Sequence, residues 1–228
     1  MEVLKNLPYE LTIDVVITEL KMRHISSQIK EIVKDVLKKA TDIARPKAVY
    51  EQFYIDEISE NSVVVNGIEF KSHILSKNVE NVGKVFPYVV TAGQELEKID
   101  VDEGDMFSSY ILDLIKELIL SKARESFEKI LFKNVNIEKG SYMSPGSLND
   151  WPISEQKKLF DLLGDVEKAI GVKLLPTFIM EPAKTVSGIY FPAEFDFDSC
   201  MLCLRENCPS RKAAFNPALY KEYTGKKV

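Results

Sequence analysis

The sequence has few of the residues on which most enzyme mechanisms depend. It contains only two histidines, His24 and His73, and only three cysteines, all of which lie between positions 200 and 208. A glycine-rich phosphate loop, an H-E-x-x-H zinc motif and a G-x-S-x-G nucleophile motif are all missing. The sequence therefore gives no sign of a self-contained catalytic site, and whether the protein is an enzyme stays open.

Long apolar runs and an excess of basic charge are also missing. No stretch approaches the roughly 18 apolar residues that a membrane span requires, and the first residues lack the features of a signal peptide. The 35 acidic residues outnumber the 30 basic ones, which argues against extensive binding to a phosphate backbone. We therefore expect a cytoplasmic protein that binds neither membranes nor nucleic acid.

The composition that remains is that of a folded protein. Hydrophobic residues make up 45% of the 228 residues and charged residues 29%, a balance typical of globular domains. Helical and strand-like patterns occur in blocks and do not alternate strictly. This order predicts an α+β fold, with residues 1–228 forming one domain in which helices pack on a mainly antiparallel, twisted sheet.

Two kinds of periodicity divide the chain into elements. Apolar residues at three- and four-residue spacing predict helices over about 26–46, 105–131, 154–163 and 165–170, whereas 133–153 resembles a loop.

Strand-like segments occupy most of the remaining chain. Runs of β-branched and apolar residues predict strands over 9–20, 84–91, 173–180 and 187–191. The dipeptide Asn-Gly in the middle of 63–70 predicts a tight hairpin there.

The three cysteines form a compact cluster near the end of the chain. Cys200 and Cys203 are separated by two residues, and Cys208 follows five positions later. This spacing allows thiolates to share a zinc ion or an iron–sulfur cluster, although a structural zinc site usually has four ligands. A redox pair and three free, reduced thiols are the alternatives, and the sequence leaves them open.

A second group of motifs lies between residues 144 and 191. Ser144-Pro145-Gly146 precedes a helical segment and the sequence Gly-Val-Lys-Leu at 171–174. The run Met-Glu-Pro-Ala-Lys-Thr-Val-Ser-Gly-Ile-Tyr-Phe follows at 180–191. These motifs resemble the activation (reactivation) domain of cobalamin-dependent methionine synthase, and the resemblance is firmest over 144–191.

The resemblance implies a function that requires no acid–base pair. Such a domain binds S-adenosylmethionine, covers the cobalamin-binding methionine synthase chain, and supports reductive methylation of that chain's cobalamin. A one-electron donor protein such as a flavodoxin or ferredoxin supplies the electron. The alternatives are a metal or iron–sulfur redox module that uses the cysteine cluster, and a binding-only partner of another corrinoid protein.

The same resemblance assigns the cofactor-binding residues. Ser144, Pro145 and Gly146 would lie along S-adenosylmethionine, and the ring of Tyr190 would contact the sulfonium cation. The family loop carries an arginine and a tyrosine where this sequence has Tyr142 and Ser147, so whether S-adenosylmethionine binds remains a question for experiment.

Acidic residues offer another way to stabilise a sulfonium cation. Asp14, Asp150 and Glu155 are the candidates, although we expect all three to be solvated surface residues.

Overall fold

A computed structural model describes residues 1–22, 24–101, 105–208 and 210–226. The described residues form ten strands and seven α-helices. The strands are β1 Glu2–Lys5, β2 Lys47–Tyr50, β3 Phe53–Ile58, β4 Ser62–Val65, β5 Ile68–Lys71, β6 Lys84–Thr91, β7 Gly140–Met143, β8 Lys173–Leu174, β9 Met180–Glu181 and β10 Thr185–Pro192. The helices are α1 Ile13–Glu19, α2 Ser27–Ile43, α3 His73–Val79, α4 Met106–Val135, α5 Gln156–Leu163, α6 Val166–Ile170 and α7 Pro217–Thr224. None of the helices formed by the described residues has the length and apolar character needed to span a membrane.

Strand β6 is the centre of an eight-stranded, entirely antiparallel sheet. One edge of β6 pairs with β10 in a register that places Thr185 opposite Thr91 and Tyr190 opposite Phe86. Strands β2 and β3 follow one another along the other edge. Strand β7 extends the sheet beyond β10, β1 extends it beyond β2, and β4 and β5 extend it beyond β3. The expectation of an α+β fold with a mainly antiparallel sheet is confirmed.

Both faces of the central strands are buried, because successive side chains of a strand point to opposite faces. On one face the sheet packs against the second half of α4, and this core includes Phe86, Tyr88, Val90, Tyr190 and Phe127. On the other face it packs against α3, α5 and α6, and this core includes Val85, Val89, Ile189, Phe191 and Trp151. A third apolar cluster joins α1 and α2 to the first half of α4.

The predicted helix starts are confirmed by their capping interactions. The side chain of Ser26 accepts a hydrogen bond from the Ile29 amide, and Asp105 accepts one from the Ser108 amide. Such bonds satisfy amides that have no partner within the helix. Near the start of α4 the side chains of Met106 and Tyr110 are exposed and take no part in the core.

The segment 9–20 was predicted as a strand, and this prediction is wrong. Residues 13–19 form α1, and the first strand lies earlier, at Glu2–Lys5. Val16 and Leu20 are four residues apart and both are buried, with α2 and α4 on the same side. Packing of this helical face outweighs the strand preference of β-branched residues.

Two further segments differ from their predictions. The presumed loop 133–153 contains the last residues of α4 and strand β7. The presumed strand 173–180 is a small hairpin, in which two-residue strands flank a turn closed by the Leu175 amide and the Ile179 carbonyl at 2.8 Å. Positive φ at Phe178 makes this reversal possible.

Gly188 allows β10 to lie very close to the end of β7. A Cβ atom at this position would collide with the Met143 carbonyl oxygen and would lie 2.8 Å from Ser144 Oγ. The backbone of Met143 cannot move away easily, because β7 is paired with β10 from Gly140 to Met143, where Met143 lies opposite Ile189. Only glycine fits at position 188, because there is no room for a Cβ atom.

We predict that Gly188→Ala lowers the free energy of unfolding by about 1–3 kcal/mol, because the new methyl group overpacks this contact. Urea denaturation of the two proteins measures the difference. Gly83→Ala is the control, since a Cβ atom at Gly83 meets nothing within 4 Å and should change stability by less than about 0.5 kcal/mol. Equal stability of the Gly188→Ala variant and the parent protein would contradict the assignment.

Candidate functional site

The segment Ser144–Ser147 forms a tight turn directly after β7. The Ser147 amide donates to the Ser144 carbonyl at 3.1 Å, and Gly146 has a φ of 83°. A type II turn requires a positive φ at its third position, and proline is common at its second. Gly146 is needed for this conformation, and its amide also donates to the Trp151 carbonyl at 2.7 Å.

Two acidic residues fix the chain that follows this turn. The carboxylate of Asp150 accepts hydrogen bonds from the Ser72 hydroxyl and the Ile74 amide at the start of α3. Glu155 accepts a hydrogen bond from the Lys71 amide at 3.0 Å and is only 7% exposed. The expectation that both are solvated is therefore wrong, whereas Asp14 on α1 is exposed as expected.

A cavity of about 460 Å³ opens between this turn and strand β10. The turn, β10 and the hairpin formed by β8 and β9 supply most of its walls, together with residues from β6, β7 and α4. The lining residues are Tyr88, Arg124, Tyr142, Ser144, Pro145, Ser147, Ile153, Gln156, Phe178, Ile179, Met180, Ala183, Thr185, Val186, Ser187 and Lys212. The lining combines hydroxyl groups, apolar side chains and two cations.

The predicted cofactor-binding residues occupy different positions around this cavity. Ser144 and Pro145 line it. Gly146 shapes the turn without lining the cavity, and a Cβ atom there would meet Ile153. These three residues are adjacent in the chain, so their grouping follows from the sequence alone.

Tyr190 lies beneath the cavity and does not line it. Its side chain is fully buried, and the ring centroids of Tyr88 and Tyr142 lie 4.7 and 5.2 Å from its own. Its hydroxyl donates to Glu128 Oε2 at 2.8 Å. Burial raises the pKa of Tyr190 strongly, so the phenol remains a neutral donor. In this position Tyr190 supports the rings of Tyr88 and Tyr142, which do reach the cavity.

Sequence reasoning missed the cations of the site. Arg124 of α4 places its guanidinium carbon 4.7 Å from the ring centroid of Tyr142. Lys212 Nζ lies 6.0 Å from the same centroid and donates to the Tyr142 hydroxyl at 3.4 Å. Tyr142 is thus in contact with two cations, an arrangement that an aromatic quadrupole favours. Nothing in the helical pattern of α4 distinguishes Arg124 from its other charged residues.

The cysteine segment is organised around an arginine. A short 3-10 helix at Ser199–Leu202 contains Cys200, and the guanidinium of Arg211 donates to the carbonyl oxygens of Cys200 and Cys203 at 2.9 and 3.2 Å. All three cysteines are free and partly exposed. In the part of the chain that the structure describes, no three histidine, cysteine or acidic side chains lie close enough to hold a metal ion. The predicted metal site at Cys200, Cys203 and Cys208 therefore has no support here.

A larger cavity of about 910 Å³ lies away from this site. It is formed where the end of α3, the start of β6 and the chain after β10 meet, and Lys84 and Phe195 are among its lining residues. It contains none of the residues predicted from the sequence to bind a cofactor or a metal. A third cavity of about 690 Å³ borders the same turn through Ser147 and is lined by Cys203, but Ser144 and Pro145 do not line it. The cavity lined by Ser144 and Pro145 is therefore our candidate functional site.

The described residues thus define an α+β protein with a small-molecule-sized cavity at the edge of two central strands. Among solved structures the chain is similar to the MetH reactivation domain, which was crystallised bound to AdoHcy. The TM-score is 0.57 and the sequence identity is 16%, and the match covers 87% of this chain and 81% of that chain. No protein-family profile and no curated protein sequence matches the chain. At this identity the comparison shows a shared fold.

We predict that Tyr190→Phe lowers the free energy of unfolding by about 1.5–3 kcal/mol, because the hydrogen bond from a buried hydroxyl to a partly buried carboxylate is lost. Chemical denaturation measures the loss. Tyr54→Phe is the matched control. Tyr54 is 69% exposed, so loss of its hydroxyl should change the free energy of unfolding little. Unchanged stability of the Tyr190→Phe variant would show that the hydroxyl does not support the site in this way.

Proposed function

We propose that this protein is a cytoplasmic S-adenosylmethionine-binding activation subunit for a cobalamin-dependent methionine synthase. The observation that carries the proposal is the cavity itself. It lies between a Ser-Pro-Gly turn and the strand with the Ser-Gly-x-Tyr-Phe sequence, on a fold shared with a reactivation domain crystallised with AdoHcy.

The size and lining of the cavity suit a nucleoside that carries an amino-acid tail. About 460 Å³ falls within the roughly 300–1,000 Å³ typical of ligand pockets. Ile153, Phe178 and Ile179 offer apolar surface to a base, and the hydroxyls of Ser144 and Ser187 offer partners to polar groups. This mixture of apolar walls and a few polar groups is common in cofactor sites.

The proposed role is placement of a reactive methyl group. An external one-electron donor, such as a flavodoxin or ferredoxin, reduces the partner's cobalt(II) by one electron. The sulfonium methyl group of S-adenosylmethionine is then transferred to that cobalt, and S-adenosylhomocysteine is released. The cofactors supply the reactivity and the protein supplies orientation, which is consistent with the lack of catalytic motifs in this sequence.

The surroundings of the cavity are compatible with a partner that covers it. Ile153 and Ile179 line the cavity and are 45% and 59% exposed. Exposed apolar side chains beside an opening are typical of surfaces that another molecule covers. The partner in this proposal is the cobalamin-binding chain of the synthase.

We predict that calorimetric titration detects S-adenosylmethionine binding, and that Ser147→Trp weakens it at least about tenfold. Ser147 is exposed and lines the cavity, so an indole there fills the ligand's space with little cost to folding. Asn149→Trp, an exposed position of the same segment that does not line this cavity, is the control. Absence of binding to the parent protein would contradict the proposal.

We also predict that the protein accelerates reductive methylation of cobalt(II) methionine synthase. The visible spectrum of the cobalamin follows the reaction with S-adenosylmethionine and a one-electron reductant, with and without this chain. Ser147→Trp should abolish the acceleration, because the methyl donor is no longer held. No acceleration by the parent protein at any S-adenosylmethionine concentration would remove the activation function while leaving ligand binding intact.

A further inference from the structure

The candidate cavity is positively charged at one end. Arg124 and Lys212 line it, and none of the lining residues is acidic. The two cations lie against the same ring, that of Tyr142, which places them in the part of the cavity nearest to β7 and α4. The charge of the site therefore favours an anionic group at this end.

Two hydrogen-bond donors at this end of the cavity have no acceptor. Arg124 Nη1 is buried and reaches no acceptor in the described parts of the chain. The buried Tyr88 hydroxyl lies close to the Ser144 hydroxyl, which can donate to it, but no acceptor for the Tyr88 proton lies within hydrogen-bond geometry there. Buried polar groups are almost always hydrogen-bonded in folded proteins, and an unpaired buried charge is costly. A pair of orphan donors beside a cavity indicates that a ligand supplies the acceptors.

The nearest acidic side chain does not fulfil this role. Glu128 lies one helical turn after Arg124 on α4 and its negative charge favours the guanidinium electrostatically, but its Oε2 accepts the hydrogen bond of the Tyr190 hydroxyl and none from Arg124. No ion pair joins Glu128 to Arg124 among residues 105–208. Stacking on Tyr142 stabilises the face of the guanidinium and leaves the N–H groups at its edge without an acceptor.

Tyr88 is suited to assist as a neutral donor. Burial raises the pKa of Tyr88 above its ordinary value, while the charge of Arg124 and the nearby Ser144 hydroxyl act in the opposite direction. The phenol therefore keeps its proton at neutral pH, and it can donate to an anion held by the guanidinium.

We propose that Arg124, with Tyr88 beside it, forms a carboxylate subsite that binds the amino-acid carboxylate of S-adenosylmethionine. This inference rests on the proposed function, since it names the part of that ligand which enters the positive end. A guanidinium presents a planar pair of donors that matches a carboxylate in a bidentate manner. Arg124 is then a specificity residue of the cavity.

The test compares two ligands that differ only at the carboxylate. Calorimetry with S-adenosylmethionine and with decarboxylated S-adenosylmethionine is carried out on the parent protein, Arg124→Met and Lys122→Met. Lys122→Met removes a charge two residues away, about 200° around α4, and Lys122 pairs with exposed Glu125 outside the cavity. Circular dichroism verifies that each variant is folded.

We predict that Arg124→Met weakens S-adenosylmethionine binding roughly 10- to 100-fold. The same variant should change the affinity for the decarboxylated ligand by less than about threefold, and Lys122→Met should change neither. Tyr88→Phe, which removes the hydroxyl and keeps the ring, should weaken S-adenosylmethionine binding selectively. It serves as the test if Arg124→Met does not fold.

The outcomes separate this inference from the proposed function. If the parent protein binds neither ligand, both the proposed function and the carboxylate subsite are wrong. If the parent protein binds S-adenosylmethionine and Arg124→Met binds it equally well, the carboxylate subsite alone is wrong. If Arg124→Met weakens the binding of both ligands equally, the carboxylate subsite is also wrong, because the loss of affinity would not depend on the carboxylate.

Discussion

The site depends on the close contact between the backbone of Gly188 in β10 and the carbonyl of Met143 at the end of β7. Because glycine has no Cβ atom, the two strands can approach at this point. Ser144 begins the turn immediately after Met143, so the turn lies against β10 and not beyond it. The cavity between the turn and β10 is a consequence of this one approach.

The rest of the fold stabilises that arrangement from both sides. Asp150 and Glu155 tie the chain after the turn to α3 and β5 through hydrogen bonds to backbone amides. Beneath the cavity, Tyr190 and Phe127 support the ring of Tyr88. Rigid surroundings of this kind reduce the entropy lost when a ligand is bound.

The distribution of charge around the cavity predicts the orientation in which the proposed ligand binds. The positive end of the cavity is adjacent to α4, whereas the exposed apolar side chains of Ile153 and Ile179 lie towards its opening. With the carboxylate at Arg124, the sulfonium methyl group would lie away from the two cations, which repel it. A partner's cobalt could then approach from the open side. The ring of Tyr142 contacts the guanidinium of Arg124, which comes from α4.

Sequence reasoning succeeded where local rules decide the structure. The Asn66-Gly67 hairpin and the helix start at Asp105 each follow from the conformational preferences of a few adjacent residues. It failed at residues 9–20, where packing against α2 and α4 outweighs strand preference. The prediction that Tyr190 contacts a ligand is untested, but its ring lies beneath the candidate cavity and does not line it. A strand pattern does not tell which side chains of the strand reach a cavity. Arg124 could not be predicted, since it reaches Tyr142 only through the packing of α4 on the sheet.

A crystal structure of the protein with S-adenosylhomocysteine tests the central claim most directly. The account predicts that the nucleoside lies between the Ser144–Ser147 turn and β10, with its carboxylate oxygen about 2.7–3.2 Å from Arg124 Nη1. A ligand bound elsewhere on the protein, or a cavity that stays empty in crystals grown at a saturating ligand concentration, would contradict it.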